Sequence, residues 1–213
     1  MDCMQHTMKK LCENIQGVKL GYCQSDEISL LLTDYDNIDT SAWFDYEVQK
    51  MCSISASMAT MEFNREFGNR CHEMIDEINE DWNVTDEEEK YANTLYKAIE
   101  KGAMFDSRCF NIPKEEVTNL IFWRQQDATR NSIEMVGRAY FSHKDLHKKN
   151  CNDIQDMLHE QFGVNWNDFP VACKRGSACL RGEDNKWYVD LEMPILKGEC
   201  RNYVDKLIYV GEE

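Results

Sequence analysis

The chain has 213 residues, 42% of them hydrophobic, enough to bury one sizeable core alone or with a small satellite, and its formal charge of −15 excludes a general polyanion-binding surface. No run of eighteen apolar residues and no apolar-centred leader is present, which predicts a cytoplasmic protein without membrane contact. The ten cysteines are scattered without a C-x-x-C pair and read as reduced core thiols rather than a disulfide framework.

Residues 1–17, MDCMQHTMKKLCENIQG, carry a mixed helix pattern. A hairpin follows. Val18, Leu20 and Tyr22 alternate on one arm and Ile28, Leu30 and Leu32 on the other, with Gln24 and Ser25 as the turn. If the second arm starts at Asp26, its carboxylate shares a face with Ile28 and Leu30, and Glu27 points to the opposite one. Residues 42–67 then place Phe44, Val48, Met51, Cys52, Met58 and Ala59 at helical spacing behind a capping Thr40-Ser41 pair.

Half the positions of 73–90, EMIDEINEDWNVTDEEEK, are acidic, which marks a solvated insertion between two ordered parts. A helix near 86–101, a short strand MFDSRCFNI over 104–112 and a long helix from Pro113 to about Ala139 come next. Pro113 with Glu115 and Glu116 suits a helix start. Val117, Ile121, Ala128 and Met135 form one stripe of that helix, yet Arg124 and Asn131 fall inside it. Polar groups there need partners, internal or ligand. The segment 137–150, GRAYFSHKDLHKKN, mixes Arg138, Lys144, Lys148 and Lys149 with aromatics and could hold phosphate. A helix near 150–162, a Lys174-Arg175-Gly176 turn and a terminal hairpin built from KWYVDLEMPI and YVDKLIYV complete the chain.

His143 and His147 are four apart, but lysines surround them and no acid or Cys completes a zinc set. Glycine-rich phosphate loops and a nucleophile elbow are absent, which removes the support for kinase and hydrolase readings.

LCENIQGVKLGYCQSDEISLLL, SAWFDYEVQKMCSISASMAT, MFDSRCFNIP, WRQQDATRNS, FGVNWND and KRG together resemble the tRNA(His) guanylyltransferases and their bacterial, archaeal and phage-like relatives, which extend RNA 5′ ends in the 3′-to-5′ direction. The resemblance spans nearly the whole chain. It implies an α+β fold with a ferredoxin-like, polymerase-palm sheet and packed helices. It makes Asp26 a catalytic ligand of two Mg²⁺ ions, Glu27 a supporting acid, and Ser25 and Asn131 nucleotide contacts. Arg130, Lys148 and Lys149 become candidates for RNA or phosphate. GTP and ATP would be substrates, tRNA the partner, and the assembly a homotetramer. Such a site is sensible because phosphoryl transfer needs in-line alignment and neutralised charge, which divalent ions on carboxylates supply.

The sequence departs from the family in two places. The family's other metal-binding aspartate lies in an Arg-Ile-Asp-Gly-type strand ahead of the first helix. No such segment is found here, and a β-α-β-β-α-β sheet needs that strand, so the chain reads as N-terminally incomplete. The family's His-Ile-Asn-Asn motif aligns with Thr129-Arg130-Asn131-Ser132, and the missing His favours templated 5′-end repair over tRNA(His)-specific addition. The expected organisation is one catalytic domain: 1–67 as the palm part with the hairpin, 68–101 as the acidic insertion, 102–180 as palm and helices, and 181–213 as a C-terminal segment. A non-catalytic RNA- or nucleotide-binding remnant of the same fold stays open as the alternative.

Overall fold

The computed structural model describes residues 1–80 and 83–209. Asp81 and Trp82 of the acidic run and Val210 of the C-terminal stretch lie outside them. Helix α1 (Asp2–Asn14) leads into strands β1 (Val18–Gln24) and β2 (Glu27–Leu32), followed by helices α2 (Val48–Glu80), α3 (Asp86–Lys101) and α4 (Lys114–Tyr140). Short helices α5 (His143–Leu146), α6 (Cys151–Phe162) and α7 (Val171–Arg175) precede strands β3 (Ser177–Arg181) and β4 (Trp187–Asp190), and α8 (Asn202–Asp205) follows. The strands form one antiparallel sheet in the order β2-β1-β3-β4. The fold is therefore α+β.

The sheet is covered on both faces. Met4, Met8, Leu11, Cys12 and Ile15 recur at helical spacing along α1 and its exit, and pack with Val18, Cys23, Cys179 and Trp187. Gly21 permits that approach: a Cβ there would stand 2.7 Å from Cys12 Sγ and 2.8 Å from Met8 Cγ. On the other face Leu20, Tyr22, Ala178 and Leu180 meet Val117 and Ile121 of α4 and Val204 and Ile208 near the C-terminus. Strand β1 is thus buried on both faces at every position but Lys19, which pairs with Asp36 at its partly exposed start.

Several expectations need correction. The turn is Ser25-Asp26 rather than Gln24-Ser25, because Gln24 pairs with Glu27 across the ladder. Asp26 therefore sits in the turn and shares no strand face with Ile28. A register shift between Val18 and Leu20 turns Val18 toward α1, whereas Leu20 and Tyr22 face α4.

Thr40 and Ser41 do not cap α2. The Thr40 hydroxyl accepts from the Asn37 amide and Ser41 accepts from Gln16, so they close the preceding loop. A 3-10 turn over Trp43–Tyr46, with Phe44, Asp45 and Tyr46 at positive φ, delays the helix to Val48.

Residues 104–112 alternate in exposure like a strand but join no ladder. Their polar groups are taken by α2. Asn64 bonds both backbone groups of Ala103 at 2.7 and 2.8 Å, Thr60 Oγ1 accepts from the Phe105 amide at 3.1 Å, and Ser55 donates to Ser107 at 2.8 Å.

The C-terminal stretch makes no hairpin with 186–195 among the described residues. β4 pairs with β3, while Val204 and Ile208, four apart, face the core from a helical turn. The acidic run continues α2 without a break to Glu80. Thr85 caps α3 with a reciprocal bond to Glu88, and Cys71, Ile75, Ala92 and Leu95 give the two helices a small core of their own.

Candidate functional site

The hairpin tip is anchored from below. The Tyr22 hydroxyl donates to the Arg175 carbonyl at 2.7 Å, where α7 ends at Gly176 with φ +84. A Cβ on Gly176 would meet Cys23 O at 2.6 Å and Tyr22 Oη at 2.7 Å, so the backbones touch only because this residue is glycine. On the far side, Gln125 fixes α4 to the chain at 194–196: its Nε2 donates to Pro194 O at 2.9 Å and its Oε1 accepts from the Leu196 amide at 3.1 Å.

Between the tip, α4 and α7 lies a cavity of about 220 Å³. Gln24 and Ser25 form one wall. Ala128, Asn131, Ser132, Glu134, Met135 and Arg138 form another, and Met1, Ala172, Cys173 and Gly176 close it. Of these, Ala128, Asn131, Met135 and Arg138 stand at positions i, i+3, i+7 and i+10 and so share one helix face. Ser132 is a buried junction in that wall, accepting from Trp166 Nε1 at 3.1 Å and contacting Lys174 O at 3.3 Å.

The two acids at the tip differ. Asp26 is exposed, and no side-chain or backbone bond to it is found among the described residues. Glu27 turns to the α4 side, where its Oε2 accepts from Gln24 Nε2 at 2.8 Å and lies 3.2 Å from an Arg124 guanidinium nitrogen. Gln24 Oε1 is buried with no partner among the described residues. Arg124, the polar intruder on the α4 stripe, thus finds its partner in the hairpin, and Asn131 lines the cavity with a weak 3.5 Å contact to Asp127.

The other expected contact residues do not converge here. Arg130 is exposed and pairs with Asp127 at 2.7 Å. Lys148, with φ +61, and Lys149 are exposed between α5 and α6 and do not line the cavity. No group of three His, Cys, Asp or Glu side chains able to hold a metal occurs among the described residues. Among the described residues all ten cysteines are free thiols, with Cys12, Cys23, Cys71 and Cys179 buried. No described helix is long and apolar enough to cross a membrane.

Arg138, Ala172 and Cys173 of the cavity were not singled out as nucleotide contacts by the sequence. Arg138 carried a signal as part of the basic segment. Ala172 and Cys173 carried none.

A family model described as tRNAHis guanylyltransferase matches residues 1–113. The probable tRNA(His) guanylyltransferase of Dictyostelium discoideum is 22% identical over 228 residues, which span 99% of this chain and 75% of that protein. The solved structure of a bacterial tRNA(His) guanylyltransferase-like protein in complex with ATP is 39% identical with a TM-score of 0.79, covering 98% of this chain and 78% of that one. A structure of such a bacterial protein in complex with GTP is 38% identical with a TM-score of 0.70, over 98% and 77% of the two chains. The enzyme from Saccharomyces cerevisiae, 20% identical with a TM-score of 0.58 over 84% of this chain and 72% of that one, shares the fold.

Proposed function

The chain belongs to the tRNA(His) guanylyltransferase family, and on that premise we propose that it adds nucleotides, G or templated ones, to tRNA 5′ ends in the 3′-to-5′ direction, with GTP and ATP as substrates. In this reaction the 5′ end is activated as an adenylate or triphosphate, and the 3′-hydroxyl of the incoming nucleotide attacks its 5′ phosphorus, forming the phosphodiester as AMP or pyrophosphate leaves. The observation that carries the reading is the cavity that joins Ser25 at the hairpin tip to Asn131 on α4, with Asp26, next to Ser25 in the turn, free of partners among the described residues. Ser25 and Asn131 offer hydrogen-bonding groups to a nucleotide, and the wall of α4 orients it.

The tip offers Mg²⁺ one free carboxylate, that of Asp26, and no preformed ligand set occurs among the described residues. This ion keeps several waters and needs one or two carboxylates besides the phosphates, and Asp26 would hold it, neutralising phosphate charge when bound. The described residues supply no ligand set for a second ion, since Glu27 is engaged by Gln24 and Arg124. The chain's own work is therefore positioning. β1 and β2 hold the tip rigid against α4, and the apolar floor of Ala128 and Ala172 excludes water from one side of the bound nucleotide.

Arg130, Lys148 and Lys149 are the proposed RNA contacts. A chain of charge −15 needs its basic segments gathered into one cleft, which a cytoplasmic homotetramer would provide. The whole chain is read as one catalytic domain, with 68–101 as its acidic insertion.

The test is incorporation of labelled GTP at the 5′ end of a tRNA lacking its first nucleotide, with tRNA(His) and other tRNAs compared. Incorporation that depends on Asp26 supports the reading; binding of nucleotide without incorporation would replace it by the non-catalytic one.

A further inference from the structure

Arg124 and Glu27 are linked by one contact of 3.2 Å, long for a charge-assisted bond, with side chains 36% and 48% exposed. Exposed pairs of this kind are weak. Among the described residues the Arg124 guanidinium engages Glu27 alone, which leaves most of its five N–H groups free. Arg124 also stands one turn before Ala128 and two before Asn131, so it continues the helix face that lines the cavity and reaches the same hairpin tip as Ser25. A polyphosphate entering there offers this fork several acceptor oxygens and more negative charge than a single exposed carboxylate carries.

We propose that Arg124 is a phosphate-binding residue held in reserve: Glu27 occupies it in the empty protein, and the triphosphate of an incoming nucleotide takes it over. The inference rests on the nucleotide-binding reading above. Glu27 is then a competitor of the ligand as well as part of the tip. Gln24 Nε2 keeps the Glu27 carboxylate in place when the arginine leaves, so the exchange strands no acid.

This assignment predicts a sign that a purely structural pair does not. Titrations of GTP, ATP and inorganic tripolyphosphate into the full chain at fixed Mg²⁺ compare the wild type with Glu27→Gln, Arg124→Gln, Arg124→Lys and the Glu27→Gln/Arg124→Gln double variant. Glu27→Gln should tighten binding roughly two- to fivefold, the worth of the exposed pair it removes. Arg124→Gln should weaken all three ligands about tenfold or more, Arg124→Lys should recover part of that loss, and the double variant should lose the gain of Glu27→Gln. Weaker binding by Glu27→Gln, or an equal gain with and without Arg124, overturns the exchange while leaving nucleotide binding intact. A wild type that binds neither GTP nor ATP overturns the underlying reading as well.

Discussion

The Tyr22 hydroxyl donates to the Arg175 carbonyl at 2.7 Å, across 153 residues of sequence, and this bond ties the stem of the hairpin to the end of α7. Tyr22 is fully buried, and burial pushes its phenol well above the usual range, so it stays a protonated donor at every working pH. Tyr22→Phe should cost about 1–3 kcal/mol in urea unfolding, because the carbonyl is left without its donor. Gly176→Ala should cost more. It combines a positive φ with a Cβ only 2.6 Å from a backbone oxygen, which cannot move aside without shifting β1.

The thiols give a pH prediction with a definite sign. Burial pushes Cys23 up to about 12, whereas in the unfolded chain it ionises near its ordinary value of 9. Between those two values the unfolded state loses the proton and the folded state does not. The contribution is therefore whole below pH 9 and is lost as pH rises toward 12. Urea midpoints should fall over pH 9 to 11 in the wild type and fall less in Cys23→Ala. Parallel slopes in the two proteins would assign the decline to other groups.

Cys52 and Cys109 form the last rung between α2 and the extended segment 102–113, with their sulfurs 3.5 Å apart. Such thiols should close to a disulfide under diamide, which takes up the two hydrogens they lose. Burial and the neighbouring Cys52 push Cys109 up to about 11, so little thiolate exists at pH 7 and the rate should climb with pH. Mass spectrometry of the peptides should find the 52–109 link and its loss in Cys52→Ser. A dominant link elsewhere would contradict the rung.

The sequence was legible where the period of a pattern decided the structure and silent where a partner did. The long helix was readable from Pro113, Glu115 and Glu116 at its start, and the helices expected near 86–101 and 150–162 stand at Asp86–Lys101 and Cys151–Phe162. Residues 104–112 show the limit: alternation revealed an extended backbone, but only the side chains of Asn64, Thr60 and Ser55 reveal that α2 is its partner. YVDKLIYV looked strand-like from its Val, Ile and Tyr content, whereas the decisive signal was the four-residue step from Val204 to Ile208. Arg124 was visibly out of place on its stripe, yet Glu27, 97 positions earlier, could not be named as its partner. The cavity joins 24–25, 128–138 and 172–176, which no local pattern connects.

Lys148 and Lys149 are exposed on the turn between α5 and α6 and form no ion pair among the described residues, so they are free to meet a phosphate backbone. Charge reversal of both should weaken binding of all tRNAs alike and lower the slope of log affinity against log salt by about 2, one per lost contact. Fluorescence anisotropy across a salt series measures this. An unchanged slope would make them solvated surface residues. Sedimentation of the same protein checks the tetramer, and a monomer that binds tRNA with full affinity would remove the need for a shared cleft.

Asp26 gives the sharpest test because its surroundings are so sparse. It sits in the turn, exposed, with no bond to it among the described residues, so Asp26→Asn should leave the unfolding free energy from urea titration within about 0.5 kcal/mol of the wild type, as for other surface changes. The amide keeps the shape and removes the charge. A carboxylate that merely decorates a turn would be replaceable, since Asn is as well suited to turns as Asp. A carboxylate that holds Mg²⁺ against a polyphosphate would not, and incorporation of labelled GTP should then fall at least about 100-fold. The two roles also differ in metal dependence: the residual activity of Asp26→Asn should require a higher Mg²⁺ concentration, while its folding stays indifferent to Mg²⁺. Equal incorporation and an unchanged Mg²⁺ requirement would return Asp26 to the surface and leave Ser25 with the cavity walls of α4 and α7 as the nucleotide site.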